Sequence, residues 1–111
     1  MSTKPKIVVA SEAGIFIRSL SDISEALNTC IMAHALILTE QDLAPEFFDL
    51  RTGLAGELFQ KFTNFRKRVA IVLPNPAAYG ERVVELAREH SSHGLIRFVN
   101  SKEEAETWLN S

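Results

Sequence analysis

The sequence predicts a single α/β domain over residues 1–111, built on a mostly parallel sheet of four to five strands with an N-terminal hairpin and about four helices. Three observations carry this. The apolar runs Ala35-Leu36-Ile37-Leu38 and Val69-Ala70-Ile71-Val72-Leu73 lack in/out alternation, the pattern of strands covered on both faces. Segments of helical period lie between the strand-like runs, and such alternation implies right-handed crossovers onto a parallel sheet. A chain that is 46% hydrophobic and 23% charged is ordinary for one globular domain of 111 residues.

Taken in order, Ile7-Val8-Val9-Ala10 and Ile15-Phe16-Ile17 are β-rich runs flanking Ser11-Glu12-Ala13-Gly14, whose turn residues predict a β-hairpin. Residues 1–5 precede it and are expected to be disordered. Ile23, Ala26, Leu27, Cys30, Ile31 and His34 share one face of a helix capped by Ser19 or Ser21. The strand at 35–38 follows, expected at the centre of the sheet. A second helix is expected from Thr52, with Leu54, Leu58, Phe62 and Phe65 on one face and Ala55 and Phe59 widening it. After the strand at 69–73, Asn75 reads as N-cap and Pro76 as first residue of a third helix that carries Tyr79, Val83, Leu86, Ala87 and His90. Residues 95–99 form the last strand. Ser101 with Glu104 three residues on is a capping box for a final helix that buries Ala105, Trp108 and Leu109. The expected order is ββαβαβαβα.

Twelve Lys and Arg against fourteen Asp and Glu give a net charge of −2, so the broad basic footprint of a nucleic-acid binder is not expected. A single cysteine, Cys30, cannot close an internal disulfide, which points to a reducing, cytoplasmic setting. The start of the chain is too short of apolar residues for a signal peptide. The longest near-apolar stretch, Cys30 to Leu38, is interrupted by His34 and is about half the ~18 residues of a membrane span. No membrane partner is expected on these grounds.

Residues 39–51 stand out because a connection from strand to helix normally takes about 2–6 residues. This segment carries Glu40, Asp42, Glu46 and Asp49 together with Arg51, and it leads into Thr52-Gly53-Leu54-Ala55-Gly56-Glu57. In open α/β sheets such connections often hold the ligand site. A helix N-terminus offers free N–H groups and a positive dipole end, so an anion attached to Thr52 would be stabilised there. Gly53 and Gly56 leave the backbone open to a phosphate or another protein. The plainer reading makes Thr52 an N-cap, the glycines a means of tight packing, and Phe47 and Phe48 plugs of the core.

From His34 to Ser111 the chain resembles a STAS domain, the fold of anti-sigma-factor antagonists. The resemblance lies in the apolar strand at 35–38, the acidic loop, Asp49 with Thr52-Gly53-Leu54-Ala55, the amphipathic helix, the strand before Asn75-Pro76-Ala77, and Leu95-Ile96-Arg97-Phe98. In the antagonists the matching motif is Asp-Ser-(Ser/Thr)-Gly-Leu-Gly, whose second hydroxyl residue a cognate kinase phosphorylates, and that position falls on Thr52. Two positions depart from it: Asp49 stands three residues before Thr52 rather than two, and Arg51 occupies the first hydroxyl position. A longer string, Glu46-Phe47-Phe48-Asp49-Leu50-x-Thr52-Gly53-Leu54-Ala55-Gly56-Glu57 followed by Gln60-Lys61-Phe62, resembles the bacterial domain of unknown function 4180 from Ile7 to Leu109. That resemblance implies a bacterial source and the fold, and no established activity.

Other features read as structural. Cys30 is expected to be a buried thiol, and His90-Ser91-Ser92-His93 lacks an evident third metal ligand. Lys61, Arg66, Lys67 and Arg68 complement the end of the second helix. No Walker loop is present and no nucleophile-base pair falls within a short window of the sequence, so neither catalysis, cofactor nor metal is expected. The functional expectation is a cytoplasmic protein-interaction module, monomer or homodimer, that presents residues 49–57 to a protein partner such as a regulatory kinase. Its site residues are Asp49, Arg51, Thr52, Gly53, Gly56 and Glu57, with Asp42, Glu46, Phe47 and Phe48 as secondary candidates and Thr52 as phosphoacceptor. The alternative is a small-ligand binder or enzyme with a site between loop 39–51 and the helix beginning at Thr52, lined by Asp42, Asp49 and Thr52.

Overall fold

Four strands lie side by side in chain order in the computed structural model, which describes residues 6–111; the disorder expected at 1–5 lies outside the described residues. They are β1 (Ile7–Val9), β2 (Ala35–Thr39), β3 (Arg68–Val72) and β4 (Ile96–Val99), and every neighbouring pair is parallel. Leu36 stands opposite both Val8 and Val69, which places β2 inside the sheet. The helices are α1 (Ala10–Ala13), α2 (Leu20–Thr29), α3 (Pro45–Phe48), α4 (Leu54–Asn64), α5 (Glu81–Glu89) and α6 (Lys102–Leu109), with 3-10 turns at Glu40–Asp42, Leu50–Thr52 and Pro76–Tyr79.

The pleat sorts the strand residues into two cores. Leu36, Leu38, Val69, Ile71, Ile96 and Phe98 face α2, α4 and α5, where Ile23, Ala26, Leu58, Phe62 and Val83 close the layer. Ala35, Ile37, Ala70 and Val72 face α6 on the other side and meet Ala105, Trp108 and Leu109. Because the strand order never reverses, crossovers of one hand put α2, α4 and α5 on the same face. The lack of alternation in β2 and β3 follows from this double cover.

The predicted order fails at several points. Residues 10–13 form α1 instead of a hairpin turn, and Gly14, at φ 71, ends it in the left-handed region with its N–H on the Ala10 carbonyl. Ile17 makes only an isolated parallel bridge to Leu43, so the antiparallel strand does not exist. The residues that signalled a reversal supply one helical turn with a glycine terminator instead.

The first helix stops at Thr29, five residues short of His34, because β2 has to begin at Ala35 and the chain must turn first. Ile31 and Met32 are thereby exposed, and His34, also exposed, accepts from the Lys6 N–H through Nδ1 at 3.0 Å. Ser19 is the cap, accepting from the Asp22 N–H.

The second helix starts at Leu54 rather than Thr52, and Arg66 at φ 54 turns the chain so that Phe65 points to solvent instead of joining Leu58 and Phe62. The third helix starts at Glu81: Pro76 opens only a 3-10 turn, which Gly80 at φ 103 ends, and Asn75 makes no side-chain cap. At α6, Ser101 accepts from the Glu104 N–H and the Glu104 carboxylate accepts from the Asn100 N–H, one residue before the expected partner.

Candidate functional site

Parallel strands all deliver their connections to one edge of the sheet, so the segments after β2 and β3 meet there. The Tyr79 hydroxyl donates to the Glu40 carboxylate, and the Tyr79 ring stacks on Phe48 with centroids 3.9 Å apart and planes at 15°. That bond raises the Tyr79 hydroxyl above its ordinary pKa.

Residues 39–51 are not an irregular loop. Asp42 is buried and accepts from the Thr39 N–H at 2.8 Å and the Thr39 hydroxyl at 2.9 Å, while its own carbonyl accepts from the Ile17 N–H. It ties the segment to the body of the protein and is removed from the surface. Pro45, pre-set in φ at the first helical position, opens α3. Phe47 enters the core, and Phe48, half-buried, meets it edge-on at 5.5 Å.

Asp49 then caps the turn Leu50–Thr52 by accepting from the Arg51 N–H at 3.1 Å. It also receives the Arg51 guanidinium in a two-point pair, with Nε on Oδ1 and Nη2 on Oδ2 at 3.0 Å each. Those side-chain hydrogen bonds hold the Asp49 carboxyl below its ordinary 3.8 and lift the guanidinium above its own.

Thr52 is exposed, yet its hydroxyl is engaged on both sides. Oγ1 lies 2.8 Å from the Glu46 carbonyl and 2.8 Å from the Asp49 carbonyl, which share its one proton, and it accepts from the Leu54 N–H at 3.3 Å. Gly53, at φ 77, is the residue that flanks α4, so Thr52 stands one step outside the cap position. Glu57 accepts Lys61 at 3.7 Å along the helix. Glu40, Asp42, Asp49 and Glu57 are thus each partnered within the chain. Glu46 is exposed, and among the described residues only its backbone carbonyl is engaged in a cross-segment bond.

The two glycines differ. Gly53 needs its positive φ, whereas a Cβ built on Gly56 in the first turn of α4 would meet no atom within 4 Å. The tight packing expected of Gly56 is absent.

Beside this segment runs an open groove of about 590 Å³, lined by Phe48, Asp49, Arg51, Tyr79 and Arg82. Asp42 and Thr52, named with Asp49 as the lining of a ligand site, are not part of it. Tyr79 and Glu40 as a pair were missed by reasoning along the sequence, which assigned Tyr79 to a helix face. The usable signal was that Glu40 directly follows one strand and the Pro76 turn directly follows the next.

Elsewhere, burial pushes the Cys30 thiol up to about 11 against a smaller lowering by Lys67, which leaves it unreactive at neutral pH. His93 Nδ1 accepts from the Leu95 and Ile96 N–H groups at 3.1 Å each, and His90 Nδ1 lies 2.9 Å from the Leu86 carbonyl. No group of three metal-ligating side chains occurs among the described residues.

No curated protein and no solved structure matches the chain. One family model does, over residues 2–109, and the chain therefore belongs to the family described as Domain of unknown function (DUF4180).

Proposed function

We propose that the chain is a protein-interaction module whose contact surface is residues 49–57, from Asp49 to Glu57, with Thr52 as its regulatory phosphoacceptor. The observation that carries this is Gly56. A glycine inside a helix costs about 1 kcal/mol relative to alanine, and here no positive φ and no neighbouring atom within the chain asks for it. A partner's backbone coming close to the first turn of α4 supplies the missing reason. The partnered carboxylates leave a surface of low net charge, suited to close approach.

Phosphate on Thr52 would act locally, because the modified oxygen could no longer donate to the Glu46 and Asp49 carbonyls and would add about −1.5 to −2 charge beside α4. The STAS-like resemblance supports the same reading through the succession of β2, acidic segment, α4 and β3. We take the setting to be cytoplasmic, in keeping with Cys30 as a free thiol; among the described residues no helix is long and apolar enough to cross a membrane.

The test is affinity capture from a lysate of the source organism with wild type, Gly56→Lys and Thr52→Glu side by side. The expected result is a discrete partner held by wild type and lost by both variants, each with an unchanged circular dichroism spectrum. A partner retained by Gly56→Lys would refute the surface assignment. The second reading, a small-ligand binder, draws on the groove beside Phe48 and Tyr79, whose volume lies within the usual range for such sites. Saturable binding of a small molecule that Tyr79→Ala abolishes would favour it.

A further inference from the structure

The opposite edge of the sheet, where the strands begin, carries exposed apolar side chains together with several cations. Ile31 and Met32, in the turn entering β2, are 51% and 80% exposed, and Phe65, in the turn entering β3, is 56% exposed. The turns are tied together. Lys67 Nζ donates to the Ile31 carbonyl at 3.1 Å and the Ala33 carbonyl at 2.7 Å, and the Arg68 N–H donates to the His34 carbonyl at 3.1 Å. The Lys6 N–H reaches His34 Nδ1, and His34, Arg66 and Arg68 line one shallow cavity at this edge.

Lys6, Arg66 and Lys67 thus share this edge with the apolar tips, while the Arg68 guanidinium turns to the α6 face and lies over the Trp108 ring, 5.6 Å from its centroid. Ion pairs among the described residues use Arg18, Arg51 and Lys61, and none uses Lys6, Arg66 or Lys67. The partners that Lys67 does have are neutral carbonyls, so its charge is not cancelled. The segments 30–34 and 64–68 contain no acidic residue in a chain whose net charge is −2, so this edge is opposite in sign to the protein as a whole.

Helix ends account for part of this. The C-terminus of α2 carries about half a negative charge, and Lys67 binds carbonyls of the turn that follows it. That does not explain why three large apolar side chains stand in water beside the cations. A second copy of the chain would bring three cations against three. Nucleic acid would meet the charge but finds only one aromatic ring to stack on, with aliphatic Ile31 and Met32 in the way. A fluid anionic surface satisfies both halves of the pattern, taking projecting apolar tips into the interfacial layer while its headgroups meet the cations.

We infer that this edge docks the protein on an anionic lipid bilayer, with Ile31, Met32 and Phe65 entering the interface and Lys6, Arg66 and Lys67 meeting the headgroups. The contact is peripheral, made by residues from two separate turns and not by a spanning segment. It is independent of the surface at residues 49–57, which lies at the far edge and stays free.

The experiment is co-sedimentation of the full chain with phosphatidylcholine vesicles, with and without about one-third phosphatidylserine. Binding is expected to the anionic vesicles alone, and to disappear near 1 M salt, where the Debye length falls to about 3 Å. Met32→Glu, at a solvent-facing position, should cut the partition coefficient by about ten-fold. Arg66→Gly, which suits the left-handed turn at φ 54, should cut it by about five-fold. Gly56→Ala should leave it unchanged. Equal binding to both vesicle types, no binding to either, or binding insensitive to Met32→Glu overturns the assignment. So does tighter binding to a single-stranded oligonucleotide that Met32→Glu leaves intact.

Discussion

Gly53 and Gly56 lie three residues apart, and replacing each by alanine should move stability in opposite directions. At Gly56 the backbone is helical and an added Cβ meets nothing within 4 Å, so the substitution gains helix propensity and narrows the unfolded ensemble without strain. The full propensity difference is about 0.8–1 kcal/mol, and a first-turn position realises a part of it, about 0.5–1 kcal/mol. At Gly53 the Cβ also meets nothing, but φ is 77, and an L side chain in the left-handed region costs about 1–2 kcal/mol. The two variants should therefore differ by roughly 2 kcal/mol although neither touches a neighbour. Urea unfolding at constant m-value reads this directly, with Gly56→Ala raising the midpoint and Gly53→Ala lowering it. For a domain of this size the thermal midpoint of Gly56→Ala should rise by about 2–6 °C. Shifts of the same sign would refute the reasoning, and destabilisation by Gly56→Ala would remove the argument that its glycine serves something outside the chain.

Phe62 is fully buried between α4 and the sheet, so Phe62→Ala should cost about 3–5 kcal/mol in chemical denaturation, and a loss under 1 kcal/mol would mean that α4 is oriented otherwise. The Cys30 thiol is raised from 9.0 to about 11, so folding favours its neutral form: that contribution is complete below pH 9 and declines as pH rises from 9 to 11. Cys30→Ala should flatten that alkaline limb of the stability profile, and an unchanged limb would contradict it. The Asp49 carboxyl is held below 3.8 by Arg51, so its contribution is present above that pH and fades as pH falls through the lowered value. Asp49→Asn should remove this acid-limb difference while leaving neutral-pH folding intact, as read by urea midpoints at pH 3 to 7.

What the sequence made legible was the burial pattern. Continuous apolar runs marked β2 and β3, helical spacing marked Leu58 and Phe62, and Ser19 and Ser101 marked two helix starts, because each signal is local and its physical cause lies within one turn or strand. Element ends were harder. The face that ran through Ile31 to His34 continued in period past the real end of α2, since a helix stops where the chain must enter the next strand and that position is set by the sheet. Phe65 was misplaced for a related reason: Arg66 adopts φ 54, which no residue preference at that position announces. In the candidate site, the Asp49, Thr52 and Gly53 neighbourhood was legible from short-range motif spacing. The Glu40–Tyr79 contact was not, because it joins residues 39 positions apart that only strand order makes neighbours.

Strand order also limits what kind of site this fold can offer. A doubly wound sheet forms its ligand crevice where successive connections leave for opposite faces. Here α2, α4 and α5 all pack on one face, so the connections after β2 and β3 lean the same way, and Tyr79 with Glu40 and Phe48 closes the space between them. The groove that remains lies outside that contact and is open along its length. A ligand in it would bury few of its atoms, and affinity would have to come from contacts spread over a surface. The same topology gathers the strand entries at the other edge, where short turns into β2 and β3 cannot return Ile31, Met32 and Phe65 to a core already filled by Ile23, Leu58 and Phe62. The topology therefore leaves the exposed features of this fold at its two edges, the segment 49–57 at one and Ile31, Met32 and Phe65 at the other.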